Sequence, residues 1–171
     1  MMKIIGAILI LASTSWGGME FSKLLSQRPK QIRALKSALQ SLEAEIMYGH
    51  TPLHEASRRL AEQLNEPLSS FFASFADRLI KEDTTVKEAW AVSLNDIWKK
   101  TAMKGTELEI MKQFGETLGR HDRLSQQKQI MLTLTHLERE EAEARETQGK
   151  YEKMIRSLGF LSGLLIVILL M

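Results

Sequence analysis

Two stretches of this chain carry no charge, and they stand at its two ends. Residues 4–19 read IIGAILILASTSWGGM and residues 157–171 read SLGFLSGLLIVILLM, runs of sixteen and fifteen uncharged positions. A helix crossing a hydrocarbon core needs ~20 apolar residues, so both runs are short for the task. The second is nevertheless dense in Leu, Ile and Val, and a soluble core helix is rarely apolar on every face. Arg156 at its edge is placed to snorkel to an interface. The expectation is a membrane segment at each end, residues 1–22 and residues 157–171.

The basic residues argue for a common direction. Lys23, Arg28, Lys30, Arg33 and Lys36 follow the first run, and Lys150, Lys153 and Arg156 precede the second. Positive flanks stay on the cytoplasmic side, so the middle of the chain is expected in the cytoplasm with both termini facing out. Other readings of the first run stay open: a cleaved secretory leader, although no Ala-x-Ala site is present, or an interfacial segment.

Between the runs the pattern is helical. Ile32, Leu35, Leu39, Leu42 and Ile46 step by three and four, one stripe of an α-helix, and Gly49 ends it. Thr51 is expected to cap a second helix with Pro52 at its first position and Leu53, Ala56, Leu60 and Leu64 as its stripe. Pro67 opens a third, with Leu68, Phe71, Phe72, Phe75 and Leu79 on one side, a core stripe rather than an aromatic ligand pocket. Thr85-Val86-Lys87-Glu88 is a capping box, ahead of Val86, Trp90, Leu94 and Ile97. A fifth helix follows Gly105, with Leu108, Met111, Phe114 or Gly115, and Leu118, and Gly119 stops it. A sixth starts near Asp122, with Leu124, Ile130, Leu134 and Leu137 apolar. No strand alternation interrupts this, so residues 28–138 are expected to form an all-α, six-helix bundle.

After Leu137 the composition changes. Residues 139–156 are heavily charged, with Arg139–Glu143, Glu141–Arg145, Glu146–Lys150 and Glu152–Arg156 spaced i,i+4. The expectation is a solvated helical stalk leading from the bundle to the second uncharged run.

Sites for chemistry are not indicated. With no cysteine in the chain, thiolate catalysis and Cys-ligated zinc are excluded. No phosphate-binding loop, nucleophile elbow or zinc-protease motif is present. His50 and His54 are four apart, but Thr51-Pro52 marks a helix start between them and no third ligand is evident. His121 and His136 stand alone. Lys+Arg 23 against Asp+Glu 21 leaves a net charge of +2, too balanced for a nucleic-acid binder. No catalytic residue, cofactor or metal is expected. Gly159 and Gly163, a G-x-x-x-G pair in an apolar segment, are candidates for close helix packing.

Two stretches resemble a known family. Gly49 with Pro52, Leu53, Glu55 and Ala56, in GHTPLHEASRRLAEQL, is similar to a segment of the type II secretion F domain found in inner-membrane platform proteins. Gly115, Glu116 and Gly119, in FGETLGR, resemble that family's G-E-x-x-G turn, and TTVKEAW falls where the family has a second, weaker helix opening. The order of helices from about 30 to 137 matches the family's six-helix cytoplasmic domain. One domain between two hydrophobic ends further resembles the short sporulation members found in endospore-forming bacilli. That resemblance implies a non-enzymatic platform or adaptor subunit of a secretion-like channel between mother cell and forespore, required for spore formation. It implies the outer forespore membrane, with the bundle facing the mother-cell cytoplasm. As partners it implies an ATPase of the same operon and other channel membrane proteins. Secretion platforms carry two such domains and this chain has one, so a platform role implies a homo-oligomer. A passive tether that recruits channel proteins without a motor is the alternative. The motif glycines are expected to serve turns or tight helix approach, and Glu116 either a structural contact or a partner.

Overall fold

The computed structural model describes residues 26–48, 51–81, 84–119 and 123–170. Over the last turns of the final helix it describes the side chains of Ser157, Leu158, Leu161 and Leu165. All regular structure among these residues is helical: α1 (26–48), α2 (Leu53–Gln63), α3 (Leu68–Lys81), α4 (Val86–Trp98), α5 (Gly105–Gly115) and α6 (Arg123–Leu170). The uncharged run 4–19, Gly49, His50 and His121 lie outside the described residues.

The stripes meet as their spacing predicts. Ile32, Leu35, Leu39 and Leu42 are at most 1% exposed, and Phe72, Phe75, Trp90, Met111 and Leu137 are fully buried with them. Each fully buried side chain of this kind is worth roughly 1.5–3 kcal/mol against exposure, which is why periodicity dictates the element here. Phe114 and Gly115 are both buried. Leu124 departs from expectation: it is 72% exposed, because it lies about 120° round α6 from Ile130, off the buried line of Gln126, Ile130 and Leu134.

Ion pairs tie neighbouring helices to one another. Arg58 pairs with Asp77 at 2.6 Å across α2 and α3, and Arg78 with Asp96 at 3.0 Å across α3 and α4. Lys87 at the start of α4 pairs with Glu116 just after α5 at 2.5 Å. Glu43 of α1 accepts from Gln127 of α6 at 3.0 Å, while Arg28 at the start of α1 meets Glu140 and Glu143. α1 and α6 therefore run antiparallel, and the start of α1 lies beside the point where α6 leaves the bundle.

Helix starts are set locally. At α4 the expected capping box is present: Glu88 N–H donates to Thr85 Oγ1 at 3.2 Å, and Thr85 N–H donates to Glu88 Oε2 at 3.1 Å. At α2 the expectation fails. Pro52, at φ −58° and ψ 145°, is the N-cap residue rather than the first helical one, and no side chain caps the helix. Pro52 supplies a carbonyl instead, which accepts from Ala56 N–H at 3.0 Å, and Thr51 is left one position too early to reach the orphan amides.

The charged segment that follows Leu137 is only partly a stalk. Glu140, Glu141 and Ala144 are buried at 4%, 5% and 3% exposure, so the bundle extends past residue 138 and takes in the first turns of that segment. Of the expected i,i+4 pairs, Glu141–Arg145 and Glu146–Lys150 form. Glu143 turns instead to Arg28 and Lys104. Arg156 lies among the side chains outside the description. Among the described residues no helix is long and apolar enough to cross a membrane.

Candidate functional site

The most unusual chemistry of the bundle is a seam of buried charge between α1, α5 and α6. Arg28 is 6% exposed and reaches three carboxylates. Its Nε donates to Glu107 Oε1 at 2.7 Å, one terminal nitrogen to Glu140 Oε2 at 3.2 Å and the other to Glu143 Oε1 at 3.3 Å. Only a guanidinium offers donors in such a fixed fork. Glu107 is fully buried and uses its second oxygen to accept from Lys104 N–H at 2.9 Å, satisfying an amide at the start of α5. Lys104 Nζ stands 3.5 Å from Glu143 at the rim. The Arg28 guanidinium, with help from Lys104, holds the Glu143 carboxyl below its ordinary range.

A second knot lies one turn deeper along α1. Glu141 accepts from Arg33 and Lys36 at 3.1 Å each, and from Arg145 of its own helix. Burial pushes the Glu141 carboxyl up, but the hydrogen bonds from Arg33, Lys36 and Arg145 outweigh it and hold the group below its ordinary value. Buried ions cost free energy unless each is paired, so the seam stabilises one register of α1 on α6 and penalises every other. It is a lock. Among the described residues no group of three or more His, Asp or Glu stands where a metal ion could be held, and the acids of this cluster are turned toward cations.

The resemblance motifs occupy the opposite end of the bundle, where α2 starts and α5 ends. Leu53 is half-buried and its carbonyl accepts from Ser57 Oγ at 2.8 Å. Ala56 is buried in the core and Glu55 is exposed in the first turn of α2, where a carboxylate suits the helix dipole. Gly115 serves Trp90. A Cβ there would overlap the indole ring, whose Nε1 donates to Met111 O at 2.9 Å. Phe71, Phe75 and Phe114 meet the indole edge to face at centroid distances of 4.9, 5.0 and 5.2 Å. Gly119 has φ +84° and lies against Val86, turning the chain out of α5. Glu116 is exposed and spans to Lys87. Gly115, Glu116 and Gly119 thus hold α4 against α5. Gly159 and Gly163 fall on the backbone of α6, and their surroundings lie outside the described residues.

The seam was not anticipated from sequence, although a signal for it exists. Glu107 precedes Met111 by four and Phe114 by seven. Glu140 and Glu141 stand three and four after Leu137, and Ala144 seven after it. Acidic residues in register with an apolar stripe are core-facing charges, which demand a buried partner.

Comparison with known proteins bears on this architecture. A family model described as stage III sporulation protein AB matches residues 3–171. The curated stage III sporulation protein AB of Bacillus subtilis (strain 168) is 56% identical over 171 residues, all of both chains. A solved structure of stage III sporulation protein AB superposes with a TM-score of 0.70 at 56% identity, covering 72% of this chain and 98% of its own.

Proposed function

Because the chain belongs to the stage III sporulation protein AB family, we propose that it acts in sporulation as a non-enzymatic membrane platform. In this reading it is a subunit of a secretion-like channel between mother cell and forespore. The bundle stands in the mother-cell cytoplasm and engages an ATPase together with other channel membrane proteins. The observation that carries this reading is the Arg28 seam. With α1 antiparallel to α6, the seam sets the start of α1 beside the point where α6 leaves the bundle. In this reading both uncharged runs enter one bilayer, and basic residues flank both on the side toward the middle of the chain. The second run, at 1.5 Å per residue, extends about 22 Å. That is shorter than a hydrocarbon core about 30 Å thick.

Two measurements test it. Reporters fused to each terminus and inserted in the turn near residue 84 read topology, with a cytoplasmic middle and outward termini expected; a translocated middle overturns the arrangement. Cross-linking the protein in its native membrane during sporulation, then capturing it, should recover a secretion-type ATPase with channel subunits. Channel proteins without an ATPase, under conditions that trap nucleotide, would replace the motor-coupled platform with a passive tether.

A further inference from the structure

One groove of the bundle surface stands apart by size and by charge. Its volume is about 770 Å³, within the range of ligand-binding clefts. It runs along α1 from Gln27 to Ser37, with the turn between α2 and α3 opposite and Lys100 just past the end of α4. Ala34, Pro67 and Leu68 supply its apolar lining.

The bundle pairs most of its described cations. Arg33, Lys36, Arg58, Arg59, Lys87 and Lys112 each stand in an ion pair. Lys30 and Lys100 line the groove, and Lys99 is next to Lys100; all three are exposed and have no carboxylate partner among the described residues. Lys128 and Lys153, elsewhere on α6, share that condition. The acid that lines the groove, Glu66, accepts from Ser70 Oγ at 2.7 Å. Unpaired cations gathered at a concave surface focus a positive potential there.

The remaining lining suits a peptide. The side chains of Gln27, Gln63 and Asn65 make no hydrogen bond among the described residues. Gln31 uses Oε1 to accept from Ala102 N–H at 2.7 Å, which leaves its Nε2 hydrogens. A side-chain amide carries both donor and acceptor, as a peptide group does. From Gln27 to Ser37 the helix rises about 15 Å, the length of roughly four or five residues of extended chain. An anionic bilayer is the other partner such charge would suit. On the membrane reading that surface lies beyond Ser157, whereas Arg28 at the groove's end of α1 stands level with Glu143. About 20 Å of helix therefore separates groove from lipid, roughly twice the distance over which charges act through physiological salt. Only this exclusion rests on the membrane reading; the groove and its charge do not.

We propose that the groove binds an extended acidic segment of a partner protein. Lys30 and Lys100 meet its carboxylates, and the amides of Gln27, Gln31, Gln63 and Asn65 meet its backbone. The site is separate from the Arg28 seam, which lies where α1 meets α5 and α6.

Fluorescence anisotropy of a fluorescein-labelled poly-glutamate hexapeptide with the detergent-solubilised full-length chain, at low ionic strength, tests this. The peptide should bind, and its poly-glutamine counterpart should not. Lys30→Glu with Lys100→Glu should weaken binding by about tenfold, while Lys128→Glu with Lys153→Glu, the same change of net charge elsewhere, should alter it by less than about twofold. Gln27→Ala with Asn65→Ala changes no charge and should also weaken binding, which keeps the test independent of the lysines. No binding of the glutamate peptide, or equal losses in the two lysine pairs, overturns the proposal. In sporulating cells, a benzoylphenylalanine photo-cross-linker introduced at Ser37, in the groove lining, should link to an acidic stretch of a different protein. That link should disappear with Lys30→Glu and Lys100→Glu. Links to a second copy of this chain, or to phospholipid, overturn the proposal.

Discussion

Arg28 donates its Nε–H to Glu107 Oε1 over 2.7 Å, and the two residues stand 79 positions apart in the chain. Removing the cation strands Glu107 and Glu140, both buried. Arg28→Met should therefore cost about 3–5 kcal/mol, the usual penalty for breaking a buried ion pair by deleting one partner. Arg28→Lys should recover only part of this, because an ammonium lacks the fork that serves three carboxylates. Urea unfolding of the detergent-solubilised chain measures both. An Arg28→Met midpoint equal to that of the parent would mean the seam is not a lock.

Trp90 and Gly115 form a second dependent pair. Gly115→Ala places a methyl group within the indole ring and should destabilise by about 1–3 kcal/mol, as overpacking does. Trp90→Leu also destabilises, but the double variant should lose less than the two single losses combined, since the clash disappears with the ring. Strict additivity in a double-mutant cycle would dissociate the two positions. Gly119→Ala, at φ +84°, is expected to be destabilising through the left-handed backbone.

Acid should loosen the α1–α6 seam. The carboxyls of Glu141 and Glu143 are both held below their ordinary values in the folded chain. A depressed folded value means that their stabilisation is fully present above the unfolded value, near 4.5, and is lost as pH falls through the folded one. The unfolding midpoint should lose this contribution progressively from about pH 4.5 downward, and Glu141→Gln should flatten part of that fall. A variant profile that parallels the parent over the same range would remove Glu141 from the pH response.

The start of α4 rests on a reciprocal pair of hydrogen bonds between Thr85 and Glu88. Thr85→Ala should cost about 1 kcal/mol and speed amide exchange in the first turn of α4. Exchange at residues 86–88 that stays at the parental rate would show that tertiary packing alone sets this helix start.

The helical stripes are legible along the chain alone, because burial at every third and fourth position is a local pattern that a helix satisfies. The stripes running from Ile32 to Leu42, Phe71 to Phe75 and Ile130 to Leu137 are buried along the lines their spacing predicts. The α4 capping box was legible for the same reason, since donor and acceptor lie three positions apart. The N-cap of α2 was misplaced by one position, as a proline carbonyl and a threonine hydroxyl compete for the same role within one turn. The register of Glu107, Glu140 and Glu141 with apolar stripes marks them as core-facing, but it does not say which cations meet them, and the i,i+4 spacing of 139–146 competes with that signal. It took the packing of α1 on α6 to pair Glu140 and Glu141, because their partners Arg28, Arg33 and Lys36 stand more than 100 positions away. A buried carboxylate is stable only where distant cations arrive in register, and that arrival is a property of how α1 and α6 pack, not of either helix alone.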